Sequence, residues 1–393
     1  MNILIINELK SFGGTEVQTE REINNFKKHG HSVSLLNFDS KYPLCINSNE
    51  KQEYNIPVKF NNLQKTIHRI ILSSKYQKLI LQVLELVKPD VIHINHVKSL
   101  PLDVFKATGN IPTIQTLRDY SFICPKGTSI LKNGEKCRRY KKQYCKKCII
   151  GNFKLLVKYI TLKKVNSFRL NYVQQLVAPS QALANACTEN GLPTLKLNNP
   201  FDFTILKKKE QTYNSNIYLY YGEISEKKGI TQMIEAFKRF HEKYENSKLY
   251  LIGILAKEYV EKFESIIDKN YMYYKGRMKN EDIMELYKQI YCVIVPSFWI
   301  ENYPNTVLEA IANKTLVIGS NRGGIPELVG NDMFLFDILN VDDLTKKLCF
   351  TKELSEKDYI EITNARYNYI KENNSLEIYY QRLLNIYGTL TKK

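Results

Sequence analysis

The sequence predicts an α/β protein made of two doubly wound parallel sheets, and three observations carry that expectation. Apolar runs of strand length alternate with stretches of helical period, 393 residues exceed one ordinary core, and the alternation stops and restarts near residue 200. In the first half Ile3–Ile6, Ser32–Leu36, Val91–Ile94, Thr113–Thr116 and Leu176–Pro179 read as strands, with Glu16–His29 as the first amphipathic helix. Asn198-Asn199-Pro200 closes this half, because proline disfavours helix in the residue before it. In the second half Ile217–Tyr221, Lys248–Ile252, Tyr271–Lys275, Cys292–Pro296 and Leu316–Gly319 read as strands, and helices are expected from about Ile230 to Tyr244 and from Asn305 to Ala312. The expected domains are therefore 1–200 and 201–393, the last helix being a candidate for packing back on the N-terminal domain.

Composition narrows the class. With 44% hydrophobic and 25% charged residues the chain is neither disordered nor fibrous. The first apolar run has no basic leader and is followed at once by Glu8 and Lys10, so it reads as a buried strand and not a secretion signal, and a cytoplasmic protein is expected. The run Val293–Ile300 is far short of the roughly 18 residues that span a bilayer. Eight cysteines in such a chain are expected as reduced thiols or metal ligands. The net charge of +17 suits anionic lipid, anionic substrates or nucleic acid, and much of it lies between Lys132 and Arg169, where Glu135 is the only acid.

Ligands of open α/β sheets bind beyond the carboxyl ends of the strands, so glycines and charges just after predicted strands are the places to search. Gly13-Gly14 follows the first strand and leads into a helix, which suits close backbone approach to a ligand or merely a tight turn. Gly222 to Gly229 follows another strand, with Lys228 one residue before a glycine at a helix start: a cradle for phosphates or a solvated loop. Pro296 to Ala310 carries Glu301 and Glu309 eight residues apart, bracketing a strand exit and a helix start. Two carboxylates so separated can accept hydrogen bonds from separate pairs of hydroxyls.

Taken with Gly323-Gly324-Ile325-Pro326-Glu327, these segments resemble, in order, the motifs of the retaining glycosyltransferases of the GT-B class, specifically glycosyltransferase family 4. The resemblance implies two Rossmann-like domains facing across a cleft, and transfer of a sugar from a nucleoside diphosphate sugar to a hydroxyl of a glycan or lipid-linked glycan, as in cell-surface polysaccharide synthesis. It implies that Lys228 holds the donor diphosphate, Glu301 contacts the transferred sugar, and Glu309 binds ribose. Gly13, Gly14, Gly222 and Asn302, with the backbone amides of Tyr303, Asn305 and Thr306, would complete the donor site. Two departures stand out there: Glu223 replaces the usual Arg, and Pro304 replaces a common glycine and removes an N–H donor. Thr116 to Tyr120 resembles a segment that usually reads His-Asp, so Arg118 and Asp119 are catalytic candidates. Arg118 cannot carry a proton, and His93 or His96 is left as an alternative or as a structural histidine. No Asp-x-Asp motif is present, so no cofactor is expected for catalysis.

Cys124, Cys137, Cys145 and Cys148 lie in a basic insertion at about 124–150 that a subgroup of the family resembles, and four thiolates would suit a structural zinc or remain reduced thiols. Phe153, Leu156, Val157, Ile160 and Val165 fall near helical spacing among lysines, as in a helix lying peripherally on an anionic membrane or in an ordinary domain helix. The competing functions are a GT-B sugar-nucleotide epimerase and a zinc-stabilised nucleic-acid binder. The second leaves the paired glutamates without purpose, and no nucleic-acid partner is expected.

Overall fold

The computed structural model describes residues 1–8, 14–46, 52–95, 97, 100–131, 134–137, 145, 148, 152–206 and 212–392. It divides into two compact units, one of Met1–Ser129, Cys137–Pro200 and Leu376–Lys393, the other of Ile130–Lys136 and Phe201–Ser375.

The first unit holds β1 (Asn2–Asn7), β2 (Ser32–Asn37), β3 (Glu53–Asn55), β4 (Val91–Ile94), β5 (Thr113–Thr116), β6 (Gln175–Ala178) and β7 (Thr194–Lys196). They pair in the order β3-β2-β1-β4-β5-β6-β7, every pairing parallel. Both faces of β1 are buried, because the crossover helices cover the two sides of a parallel sheet and both must be apolar. The crossovers include α1 (Gly14–Lys28), α2 (Asn62–Ile67), α3 (Ser74–Val87), α4 (Pro101–Thr108), α5 (Phe153–Tyr172) and α6 (Gln181–Glu189). Ser180 caps α6 by accepting the Leu183 amide at 3.2 Å, which answers one of the orphan donors of a helix start.

The C-terminal helix, Leu376–Thr391, belongs to this first unit. Its Tyr379, Tyr380, Leu383 and Tyr387 share a core with Ile3, Ile5, Phe26, Val91 and Ile114. Two of those tyrosines also make buried hydrogen bonds: Tyr379 donates to Glu22 Oε1 at 2.6 Å, and Tyr387 Oη lies 2.9 Å from His93 Nδ1. The other ring nitrogen of His93 is 2.7 Å from Thr116 Oγ1.

The second unit holds β8 (Ile217–Tyr221), β9 (Lys248–Ile252), β10 (Met272–Gly276), β11 (Ile290–Val295), β12 (Leu316–Ser320) and β13 (Leu335–Phe336), in the all-parallel order β10-β9-β8-β11-β12-β13. Its helices are α7 (Ile230–Lys243), α8 (Val260–Ile266), α9 (Asn280–Leu286), α10 (Asn305–Ala312), α11 (Ile325–Val329), α12 (Val341–Glu353) and α13 (Glu356–Asn374). The sequence boundary at residue 200 differs from these units at Ile130–Lys136 and after Ser375. Ile130 bridges Lys136 in a short antiparallel turn, and the space above Gly134 is closed by Leu339 and Phe298, so apolar contact assigns this piece of the insertion to the second unit.

Burial holds the His93 ring neutral, its pKa pushed down to about 4. Between pH 6.5 and about 4 the unfolded chain therefore binds a proton that the folded chain refuses, and stability falls as the pH falls through that window. The expected loss is about 3 kcal/mol from pH 7 to pH 4, from roughly 1.4 kcal/mol per pKa unit. Denaturant unfolding of wild type and His93→Gln across that range checks this: the variant should show a flatter dependence, and parallel curves would refute it.

Candidate active site

The strand order of the second unit reverses direction between β8 and β11, and the two loops leaving these strands meet there. The first passes from Gly222 through a single 3₁₀ turn, Glu226–Lys228, to Gly229, which opens α7. Gly229 sits at φ +73°, and a Cβ there would fall 1.8 Å from the Pro296 carbonyl oxygen at the exit of β11. Only glycine lets the two backbones come this close. The contact is reinforced where the Trp299 amide donates to the Lys227 carbonyl at 3.0 Å.

This approach brings Lys228 onto Glu301. The ammonium pairs with Glu301 Oε1, which also accepts the Ser297 hydroxyl at 2.9 Å, and both charged side chains are largely shielded. From the other side, a Cβ at Gly323 (φ +59°) would lie 1.9 Å from the Glu301 carbonyl oxygen, which accepts the Gly324 amide at 2.8 Å. Ser320 donates to the Ser297 carbonyl and Arg322 to the Phe298 carbonyl, both at 2.8 Å. Three strand exits are thus locked together around one carboxylate.

Glu309 stands on α10, whose first residue is Asn305, so the amides of Asn305 and Thr306 belong to the open first turn of that helix. Tyr303 is buried and its hydroxyl accepts from Asn374 at 3.0 Å, leaving its backbone rather than its side chain near the loop. Burial, and then the Glu309 charge, push the hydroxyls of Tyr221 and Tyr287 up, so both tyrosines lie in the field of that carboxylate. Tyr287 Oη has no hydrogen-bond partner among the described residues. Asn302 is half-buried beside Glu301. Glu223 pairs with Lys227 at 2.9 Å, so the acid that stands where an Arg is usual neutralises a neighbouring lysine of the same loop.

In the first unit Gly13 and His96 lie outside the described residues, and Gly14 is the first residue of α1. Arg118 donates to Asn199 at 2.9 Å, to Asn95 at 2.8 Å and to Glu22 at 3.3 Å, with its side chain 8% exposed. Burial alone pushes the Glu22 carboxyl up; His93 and Arg118, with hydrogen bonds from Asn95 and Tyr379, reverse this and hold it below its ordinary value. Asp119 accepts the Ser121 amide at 2.8 Å and caps the short turn Tyr120–Phe122. His93 is fully buried, with both ring nitrogens engaged by Tyr387 and Thr116.

Cys124, Cys137, Cys145 and Cys148 are half-buried. Burial pushes Cys145 up, and the charges of Cys124, Cys137 and Cys148 push the same way, so the four share a neighbourhood. Among the described residues no three His, Cys, Asp or Glu side chains converge to metal-binding separation.

The sequence segments named Lys228 and Glu301 but not Ser297, Tyr221 or Tyr287. Ser297 is the second residue past β11 and was open to discovery as a strand-exit hydroxyl. Tyr287 comes from a remote turn, and no local pattern points to it.

Residues 12–197 match the model described as Glycosyltransferase Family 4, and residues 202–368 match Glycosyl transferases group 1. An uncharacterized glycosyltransferase of Methanocaldococcus jannaschii is 30% identical over 149 residues, 37% of this chain and 36% of that protein. An uncharacterized 42.6 kDa protein from the cps region of Klebsiella pneumoniae is 23% identical over 94% of this chain and 99% of its own length. The crystal structure of Anabaena HepE in complex with UDP superposes with a TM-score of 0.74 at 15% identity, covering 99% of this chain and 100% of that one, which shows a common fold.

The interlock makes a direct test. Gly229→Ala should destabilise the second unit by about 2 kcal/mol or more, since it adds a clash to the cost of a left-handed alanine. Gly276→Ala, also at positive φ (+67°) but with nothing within 4 Å of its Cβ, should cost only about 1 kcal/mol. Equal midpoints in urea unfolding would show that the close approach carries no weight.

Proposed function

With both halves matched to glycosyltransferase families, this chain is a glycosyltransferase of the GT-B fold, and we propose that it moves a sugar from a nucleoside diphosphate sugar to a glycan or lipid-linked glycan hydroxyl with retention of configuration. The observation that carries this reading is the Lys228–Glu301 pair at the meeting of the β8 and β11 exits. Without a donor each charge neutralises the other. A diphosphate draws Lys228 away, and Glu301, still held by Ser297, is left to accept hydrogen bonds from the sugar hydroxyls. Glu309 would take the ribose hydroxyls, with the first-turn amides of α10 adding donors for the phosphates. Catalysis would be chiefly electrostatic, as Lys228 and those amides stabilise the charge that gathers on the leaving diphosphate.

The Klebsiella relative lends support to a role in surface polysaccharide synthesis. No helix among the described residues is long and apolar enough to cross a membrane. On α5, Phe153 (80% exposed) and Ile160 (57%) accompany the exposed lysines 154, 163 and 164, which favours peripheral contact with an anionic inner leaflet. A structural zinc would require the four insertion thiols to draw together from their described arrangement, in which no three metal-ligating side chains converge.

Steady-state kinetics and nucleotide titrations test the donor site. Lys228→Ala should lower kcat/KM at least tenfold, corresponding to about 1.4 kcal/mol. Glu301→Gln should reduce turnover more than donor affinity, and Glu309→Gln should weaken nucleotide binding; wild-type behaviour in all three would overturn the assignment. Product analysis separates a glycan from an epimerised nucleotide sugar. For the insertion, elemental analysis of protein purified without added metal should find about one zinc per chain, lost on Cys145→Ser with Cys148→Ser together with protection of the insertion from proteolysis. Metal-free protein with an ordered insertion would refute the zinc.

A further inference from the structure

The first unit contains a pocket of about 210 Å³, against roughly 10–15 Å³ for one water. Four cations line it, Arg69, Lys126, Lys158 and Arg169, with hydroxyls from Ser121 and Thr161 and no acid among its lining residues. They come from three stretches of chain: Arg69 from the turn after α2, Ser121 and Lys126 from the segment after β5, and Lys158, Thr161 and Arg169 from one face of α5.

Arg169 is the unusual member. It is 2% exposed, its Nε donates to Gln115 at 2.7 Å, its Nη1 donates to Asn166, and its guanidinium lies 4.8 Å from the Phe122 ring centroid and 5.4 Å from that of Phe105. No ion pair joins it to a carboxylate among the described residues. Burial pushes its pKa down to about 10, so it is still charged at neutral pH. Amide oxygens and ring faces offset only part of the cost of burying a full charge. Arg69 is also pushed down by burial, with Glu8 opposing that shift. Positive groups gathered around one cavity repel one another, and an anion in the cavity would offset that repulsion, most of all at Arg169. The planar fork of Arg169, with ammonium groups and hydroxyls around it, is the donor set that phosphate oxygens accept best.

We infer that this pocket is a phosphoryl-binding subsite for the acceptor, which therefore carries a phosphate or diphosphate group. The inference rests on the glycosyltransferase reading for the word acceptor, and the phosphate of the donor is assigned to the second unit, at Lys228. The group is borne either on a lipid or on a soluble sugar phosphate, and the chemistry of the pocket is the same for both.

Calorimetric titration of the full chain with inorganic pyrophosphate, at saturating UDP so that the donor site is filled, reads the pocket. Wild type should bind, and Lys126→Ala with Lys158→Ala should weaken binding at least tenfold while leaving the affinity for UDP unchanged. Arg169→Lys, confirmed folded by circular dichroism, should weaken it too. Pyrophosphate binding that is absent, or equal in wild type and variants, overturns the inference. A loss of UDP binding by wild type would instead strike the donor assignment. Competition against bound pyrophosphate then identifies the carrier. Displacement by neutral-lipid vesicles containing polyprenyl phosphate, and not by the same vesicles without it, supports a lipid-borne group. Displacement by glucose 6-phosphate alone supports a soluble one. Displacement by neither overturns the acceptor role.

Discussion

Taking a charge out of water is costly unless other groups answer it, and this constraint governs three places in the molecule. In the first unit the buried Glu22 is answered by Arg118, Asn95 and Tyr379, which draws α1, the exits of β4 and β5 and the C-terminal helix onto one carboxylate. In the second unit Lys228 and Glu301 answer each other. At Arg169 the answer comes, among the described residues, from amide oxygens and aromatic faces. On the proposed reading, a charge fully satisfied by its own fold holds the fold, while one satisfied by a displaceable partner, or only partly, is available to a ligand.

The candidate donor site depends on backbone contact more than on side-chain packing. Gly229 against Pro296 and Gly323 against Glu301 leave the carboxylate-bearing loop held from both sides. Side chains in such a frame can exchange partners while the chain that carries them stays in register. That is the condition for electrostatic catalysis, in which donors are already aimed at the charge that develops. Glu223 fits the same logic, since its pairing with Lys227 leaves Lys228 as the lysine of that turn engaged with Glu301.

Hydrophobic periodicity made the fold class legible in the sequence, because a parallel sheet covered on both sides must write its strands as short continuous apolar runs. Ile217–Tyr221 and Val91–Ile94 stand in the structure as their patterns read, and α10 spans Asn305–Ala312. Short edge strands such as β13 and the helices α12 and α13 carry weaker patterns and escaped. At the site, Lys228 and Glu301 were legible because strand exits are where chemistry gathers. The surroundings of Arg118 and His93 were not, since burial comes from elements distant in the chain: the partners of Arg118 include Glu22 and Asn199, and those of His93 are Thr116 and Tyr387. Likewise, nothing in the spacing of α5 announced that Lys158, Thr161 and Arg169 share a cavity with Arg69.

The C-terminal helix has a consequence for how the molecule is made. Tyr387 follows its partner His93 by 294 residues, and the whole second unit is synthesised between them. At translation rates of roughly 5–20 residues per second, the apolar surface around Ile3, Phe26 and Val91 waits on the order of 15–60 s for the helix that covers it. On the ribosome, then, the half of the chain that emerges first is finished last, and its nascent sheet is the stretch most dependent on shielding by chaperones until Leu376–Thr391 has been delivered.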